Sequence, residues 1–397
     1  MKKLHWTKLK PNQLRGTVFE GMHPEKWELE YDRLEELFTS KRPQSKSAGA
    51  SGAPAKPKKV LLLDGKKSNG VGILLARFKL PPEAIREAIL DLNTHVITED
   101  TVGNLIKYLP TGDEVETLSS YDGDPGLLGK SEVFIMAIMD IPRLGPRLES
   151  LRVKLQFEER SADVTTGLTM MEAAITGVLE SQALQKLMEL VLAVGNFMNG
   201  KPGPRGDKGF KLAFLNKLRD TKSADNKTTL LHYLVEYVES SHSEVLVFLD
   251  DLKHVEEGAR HSLDLLKSSV AELDVSLKGI GKELEAVAPT DRFVEVMGVF
   301  YEGATQAVSD MQSSLHTIEA TYEKAAKAYG EIPSKVKAEE FLSKFHDFEE
   351  AFVKAQRDNA RAKERAEKKA RRDAAKAAAK AKRASSRTSS RTSEARA

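Results

Sequence analysis

Apolar residues recur three or four positions apart along most of this chain, which is the spacing of side chains on one face of an α-helix. One such stripe lies in the most apolar stretch of the sequence, and a second follows a turn near residue 225. Their members are Leu184, Leu187, Met188, Val191 and Leu192, and then Leu230, Leu231, Leu234, Val235 and Val238. No segment alternates apolar and polar residues over the length of a strand. The pattern therefore predicts an all-α protein.

A longer apolar seam occupies residues 263–284 with alternating spacings of three and four, the rhythm of positions a and d in a coiled coil. Pro289 interrupts it, and a second seam follows at residues 293–311. Two such helices joined by a short break are expected to pack together as a hairpin. After a break at residues 330–333, a last periodic stretch leads into the C-terminal tail. Its apolar members are Phe341, Phe345, Phe348 and Phe352.

The N-terminal part of the chain divides at a low-complexity segment. Residues 39–59 are rich in Ser, Ala, Gly, Pro and Lys, the composition of a flexible linker. Residues 1–38 form an amphipathic arm that is too small to fold alone, and residues 60–356 are predicted to form a helical body. That body begins with short helices punctuated by prolines and caps, among them a capping box at Thr111 and Glu114. Residues 357–397 are predicted to be a separate basic tail, helical or partly disordered.

The formal net charge of +2 hides the character of this tail. Residues 357–397 contain 15 Lys or Arg and 5 Asp or Glu, a net charge of +10, so the rest of the chain has a net charge of −8. Such a tail is able to hold an acidic partner such as a protein filament, a nucleic acid or a lipid headgroup surface. A solvated helix without a partner is equally consistent, since Ala, Lys and Arg all favour helix.

Cysteine is absent, so the chain gives no sign of an oxidising compartment. The first ten residues lack the apolar core of a secretory signal. The most apolar stretch, residues 184–198, is too short and too polar to span a membrane. These features predict a cytoplasmic protein.

Catalytic motifs are poorly represented. The glycine-rich run at residues 200–209 lacks the Gly-Lys-Ser/Thr ending of a phosphate-binding loop, because Asp207 and Lys208 follow Gly206. None of the nine histidines belongs to the His-Glu-x-x-His pattern of zinc hydrolases. The tripeptide Arg205-Gly206-Asp207 matches an adhesion motif by coincidence, in a chain without cysteine or signal sequence. We therefore expect no enzymatic activity, no metal and no cofactor.

The most unusual segment is residues 195–220, which read GNFMNGKPGPRGDKGFKLAFLNKLRD. Gly195 removes a side chain from a helix face that should be packing, so another group, such as an aromatic ring, can approach its backbone closely. Asn199 and Gly200 then stop the helix, and a new helix is predicted to begin at residues 209–212. Seven Lys or Arg residues fall within residues 201–222. Judged by composition alone, this segment is equally consistent with an ordinary helix-turn-helix that has a solvated basic loop.

The amino-acid sequence of this segment resembles the signature of the formin homology 2 domain, the actin-assembling module of formins. The matching strings are GNFMN and, nine residues later, GFKLAFLNKLRDTKSADNKTTLLHYLVE. The strings LHWTKL at residues 4–9, KKSNGVGILL at residues 66–75 and YDGD at residues 121–124 match other parts of the family in the same order. The resemblance therefore covers nearly the whole chain. The sequences of residues 106–118 and 148–158 most resemble those of plant-type formins.

This resemblance implies a head-to-tail ring dimer of elongated helical-bundle parts, called the lasso, linker, knob, coiled-coil region and post. The lasso, residues 1–38, would wrap the post of the partner subunit. Trp6 would insert near the turn after the apolar helix, where a large ring needs a place without a side chain. Phe19 stands where many relatives have a second tryptophan. The implied dimerisation residues on the post are Gly195, Asn196, Phe197, Met198 and Asn199.

The resemblance also implies that actin is the partner. Ile73 on the knob would contact one actin subunit, and Lys211 and Lys217 on the post would face acidic actin surface. The ring would nucleate filaments and stay at the barbed end during elongation, in the cytoskeleton of the cytoplasm. Gly70 and Gly72 depart from the bulkier residues usual beside the isoleucine, which predicts a weaker helix there. The alternative is a coiled-coil scaffold whose basic tail binds a microtubule, a nucleic acid or a membrane.

Overall fold

A group of short helices precedes a group of long ones in the computed structural model, which describes residues 60–200 and 206–394, with side chains as far as residue 379. The short helices are α1 (Gly65–Phe78), α2 (Pro82–Leu90), α3 (Glu99–Lys107), α4 (Gly112–Ser119) and α5 (Lys130–Ile138). Within the described ranges no strand occurs, and two isolated bridges join Val60 to Leu128 and Lys222 to Thr229. The all-α prediction is confirmed there. The arm of residues 1–38 and the linker of residues 39–59 lie outside the described residues, and the ring dimer stays a prediction.

The second group contains the long helices together with two very short ones. In chain order they are α6 (Leu144–Glu180), α7 (Gln182–Met198), α8 (Leu230–Ser241), the short α9 (Phe248–Asp251) and α10 (Val255–Arg260), α11 (Leu263–Ala286), α12 (Arg292–Ala328) and α13 (Ala338–Glu394). A 3-10 helix, Leu212–Leu218, lies between α7 and α8. α6 and α12 contain 37 residues each and pack against one another.

Local sequence signals set the ends of the short helices. Asp64 caps α1, because its carboxylate accepts hydrogen bonds from two backbone N–H groups of the first turn at 2.9 and 3.3 Å. Pro82 occupies the first turn of α2, where its missing N–H group has no helical partner to lose. The predicted capping box is present, since Glu114 N–H donates to Thr111 Oγ1 at 3.3 Å and Thr111 N–H donates to Glu114 Oε2 at 2.8 Å.

The two predicted seams form the expected hairpin. α11 and α12 pack on each other, and both pack on α6. The buried seam residues are Leu263, Leu266, Val270, Leu273, Leu277 and Ile280 of α11, and Phe293, Met297, Ala304 and Met311 of α12. Phe300 is only half-buried, and its ring meets Phe157 of α6 edge-on with the ring centroids 5.4 Å apart. Burial of each large apolar side chain in this layer contributes about 1.5–3 kcal/mol.

A buried arginine joins the short helices to the long ones. Arg147 of α6 donates to the Leu90 carbonyl at 3.1 Å and to the carboxylate of Asp291. Asp291 in turn caps α12 by accepting from Phe293 N–H at 2.8 Å, and the guanidinium carbon lies 5.3 Å from the Phe293 ring centroid. Burial disfavours the ionised form of Asp291, but the hydrogen bond and charge of Arg147 outweigh it and lower the pKa of that carboxyl. The paired charges tie α2, α6 and α12 together at one point.

α13 begins as a packed helix and continues as an exposed one. Its four phenylalanines at 341, 345, 348 and 352 are buried, as predicted. The Phe352 ring meets Phe248 edge-on with the ring centroids 5.0 Å apart. Further on, Asn359 donates to the His232 carbonyl at 2.9 Å, and residues 360–379 are all exposed. The helix runs through residue 357 without a break, so the basic tail starts as a continuation of the body.

Candidate functional site

Ile73 lies on the solvent-facing side of α1. Its side chain is 65% exposed, whereas Val71 and Leu74 are buried on the opposite side. Arg77, one turn along, and Leu80, just beyond the helix, are exposed as well. We call Ile73, Arg77 and Leu80 the knob surface. An exposed isoleucine on the same helix face as a cation is a combination that occurs in protein contact sites.

Two contacts hold α1 beneath the knob surface. The Lys67 ammonium donates to a backbone carbonyl before α4 at 2.7 Å and pairs with Glu114. Burial disfavours ionisation of Glu114, but the hydrogen bond and charge of Lys67 outweigh it and lower the pKa of that carboxyl. Gly70 packs on Tyr108 so closely that a Cβ there would lie 2.4 Å from the ring. The helix is continuous through Gly70 and Gly72, and the first of these glycines permits the close approach.

The end of α7 exposes apolar side chains and leaves space beside a glycine. Phe197 is 73% exposed and Met198 is 55% exposed. No group from elsewhere in the described ranges lies within 4 Å of the position that a Cβ on Gly195 would take. Open backbone beside uncovered aromatic and thioether side chains suits the docking of a large ring. Insertion of the partner's arm stays a prediction, because Trp6 and Phe19 lie outside the described residues.

The two asparagines of this turn are engaged within the chain. The Asn196 side-chain amide donates to the Asp207 carbonyl at 3.0 Å, and its oxygen accepts from the Asp207 N–H at 2.8 Å. Asn199 follows the last residue of α7, and its N–H donates to the Gly195 carbonyl at 3.0 Å. Asn196 therefore holds the backbone of Asp207 close to the end of α7, a task that the sequence did not indicate. The predicted part of both residues in dimerisation is untested.

Lys211 and Lys217, which we call the lysine surface, belong to the segment that follows the loop. The sequence predicted an ordinary helix here, but Leu212–Leu218 is a 3-10 helix. Its three buried leucines recur every third position, which matches the three-residue turn of a 3-10 helix. Both lysines are exposed, and the Lys211 ammonium also donates to the Gly330 carbonyl. That carbonyl lies just beyond α12, where the carbonyl groups at a helix end attract cations.

One arrangement superficially resembles a hydrolytic triad. Thr229 Oγ1 lies 2.7 Å from His232 Nδ1, and His232 Nε2 lies 3.9 Å from Asp358 Oδ2, beyond hydrogen-bond distance. Thr229 is the N-cap of α8 and His232 reaches back to it, so this contact is a helix cap. No group of three or more His, Cys, Asp or Glu among the described residues is arranged to hold a metal ion. Nor is any described helix long and apolar enough to cross a membrane.

Comparison with known proteins decides the family. The family model described as Formin Homology 2 Domain matches residues 1–353. This chain belongs to the formin homology 2 family. The family resemblance inferred from the motifs is therefore confirmed, whereas the closeness to plant-type formins stays a prediction.

Relatives of this formin homology 2 chain align with nearly all of it. It is 32% identical over 375 residues to Protein diaphanous homolog 3 of Mus musculus. That alignment covers 92% of this chain and 32% of the mouse protein. It is 31% identical over 383 residues to Disheveled-associated activator of morphogenesis 1 of Homo sapiens. That alignment covers 90% of this chain and 35% of the human protein. The chain spans about a third of the length of the curated relatives it matches.

An open groove of about 640 Å³ adjoins the lysine surface of this formin homology 2 domain. Met188 and Leu192 of α7 line one side, and Phe210 and Tyr329 line others. The Tyr329 hydroxyl donates to the Val178 carbonyl at 2.9 Å, and burial raises the pKa of Tyr329 to about 12. The sequence did not indicate Tyr329, because only the folded chain brings it to this segment. In the sequence, Tyr329 is marked only by its position directly before Gly330, the glycine that follows α12.

Proposed function

We propose that this formin homology 2 domain nucleates actin filaments and remains at the barbed end while they elongate. The family match over residues 1–353 is the observation that carries the proposal. The exposed Ile73, Lys211 and Lys217 support it, because they stand where the family's motifs imply actin contact.

The two surfaces would contribute differently to actin binding. The knob surface offers an apolar anchor, whose removal from water on binding supplies affinity. The lysine surface lies among further exposed cations, Lys208, Arg219 and Lys222. Such a cluster steers an acidic partner toward the domain and favours one orientation over others.

Processive attachment would follow from a ring of two subunits. In our proposal each arm, residues 1–38, docks at the end of α7 in the partner subunit. The linker of residues 39–59 could extend to about 70 Å, so one half of the ring can move to an incoming actin subunit while the other half holds on. The cycle needs no nucleotide hydrolysis, no metal and no cofactor from this chain. We place it in the cytoplasm, at the cytoskeleton.

The alternative hypothesis was a coiled-coil scaffold whose basic tail holds a microtubule, a nucleic acid or a membrane. The family comparisons lend it no support. Assembly of fluorescent actin separates the two hypotheses, since a nucleator stabilises the small oligomers that limit spontaneous assembly. We expect the purified chain to shorten the lag phase in proportion to its concentration. A lag phase that does not respond to the chain would contradict the proposed function.

Dimerisation through the end of α7 can be tested from both sides. Trp6→Ala removes the inserted ring and Gly195→Leu fills the space that would receive it, so either change should shift the mass in solution toward the monomer. Gly298→Leu is the matched control, because Gly298 is another helical glycine with no neighbouring group within 4 Å. We expect that control to keep the wild-type mass, measured by light scattering. A dimer that survives both test substitutions would refute this docking site.

A further inference from the structure

Six of the eight cations in residues 361–379 lie on one face of α13. Residues 361–379 include eight Lys or Arg and three Asp or Glu, and every one of these residues is exposed. Six of the cations are spaced three or four positions apart, so they share one side of the helix. They are Arg361, Arg365, Lys368, Lys369, Arg372 and Lys376, and we call them the basic stripe.

The basic stripe is unfavourable for a helix in water alone. Like charges one turn apart repel each other, and Arg365 has such neighbours on both sides along the helix. Within the side chains that the structure describes, two ion pairs reach the stripe. Lys368 pairs with Glu364, and Arg361 lies 4.0 Å from Asp358. The remaining cations face solvent, where a partner of opposite charge would relieve their repulsion.

The helix that carries the stripe packs against the segment that carries the lysine surface. α13 packs against the 3-10 helix Leu212–Leu218, which ends next to Lys217. Where α13 leaves the body, Lys354 and Asp358 line one pocket together with Arg219 and Asp220. The stripe therefore begins one helical turn beyond Asp358, on the side of the body that carries Arg219, two residues after Lys217.

We propose that the basic stripe binds the acidic side of the actin filament, next to the subunit held by the lysine surface. This inference rests on the proposed function and adds a second attachment to it. The stripe is about 23 Å long, because its first and last members are 15 residues apart. It offers the filament a straight row of cations held at one end by the packed half of α13.

Two other anionic partners fit the helix less well. A helix that lies in a membrane surface needs large apolar residues opposite its cations. The side away from the stripe instead carries alanines, at 366, 370 and 374, together with Lys363 and Glu367. A nucleic acid would match the charge, but it would not explain why the helix that carries the stripe packs against the segment that carries Lys217. Both partners are outcomes of the test below.

The test compares two variants of the full chain in co-sedimentation with preassembled actin filaments. The neutral variant carries Arg365→Gln, Lys369→Gln and Arg372→Gln. The shifted variant carries Arg365→Ala with Ala366→Arg and Lys369→Ala with Ala370→Lys, which keeps the net charge and composition but moves two cations off the stripe. We expect the neutral variant to bind filament sides about tenfold more weakly and the shifted variant to lose about threefold, with wild-type binding falling as salt rises.

The outcomes separate this inference from the proposed function. A neutral variant that binds filaments more weakly yet still shortens the lag phase supports the stripe as a second attachment. A wild-type chain that leaves the lag phase unchanged contradicts the proposed function, whatever its tail binds. Wild-type affinity in the shifted variant would overturn the stripe, since net charge alone would then suffice. Stripe-dependent binding to duplex DNA or to anionic lipid vesicles that is tighter than binding to filaments would overturn the choice of partner.

Discussion

The Ile73→Ala variant should lose most of its nucleating activity and keep its fold. The Ile73 side chain is 65% exposed, so its truncation leaves no cavity, and alanine favours helix more than isoleucine does. An apolar anchor at the centre of an interface contributes about 2 kcal/mol or more, which corresponds to roughly 30-fold in binding. The measurement is the initial rate of fluorescent-actin assembly at matched concentrations of variant and wild type.

A matched control exists on α12. Val299 is 76% exposed and lies outside the knob surface, so Val299→Ala removes a similar exposed apolar group without touching the assigned contact. We expect Val299→Ala to nucleate like the wild type. We also expect both variants to unfold at the wild-type temperature and to remain dimers. Full nucleation by Ile73→Ala would show that the actin contact has been assigned to the wrong residue.

Gly177→Ala should destabilise the body strongly for the addition of a single methyl group. α6 passes so close to α9 that a Cβ on Gly177 would lie 2.3 Å from the carbonyl oxygen of Asp251. One turn further along, Ser181 Oγ donates to the Asp251 carboxylate at 2.6 Å and holds the two helices at this separation. Because the obstructing atom belongs to the backbone, relief requires a movement of a whole helix. We expect the free energy of unfolding to fall by about 2 kcal/mol, measured by denaturant titration.

Gly303→Ala should have the opposite effect, because this helical glycine has open space around it. Gly303 is exposed within α12 and has no neighbouring group within 4 Å, so a methyl group meets nothing. Alanine there should raise the free energy of unfolding by up to about 1 kcal/mol through helix propensity. Equal effects of the two substitutions would mean that the close approach of α6 and α9 is not rigid.

Helices were predictable from local patterns, but their type was not always so. The seam of residues 263–284 and the four phenylalanines of α13 show their burial period directly. The seam is buried from Leu263 to Ile280, with Leu284 partly buried, and all four phenylalanines are buried. Leu212–Leu218 has leucines three apart, a spacing that occurs in both α- and 3-10 helices. Only the folded backbone distinguishes the two.

The candidate site was predictable where a motif marked it and not where the contacts are long-range. Sequence patterns identify Ile73 and Phe197 as apolar, but whether such residues are buried or exposed depends on the tertiary fold. The family's motifs supplied that information in advance. The contact between Lys211 and Gly330 spans 119 positions, and no local pattern encodes it. The same is true of the bond between Tyr329 and Val178.

α12 is held at both of its ends by contacts with other parts of the body. Its first turn is tied to Arg147 through Asp291, and just beyond its last turn Lys211 holds the Gly330 carbonyl. Between these anchors runs one unbroken helix of 37 residues, about 55 Å long. Under the proposed function, α12 therefore helps to fix the separation between the knob surface and the lysine surface. In that proposal the body keeps a fixed length, and the linker of residues 39–59 supplies the change in length that a growing filament requires.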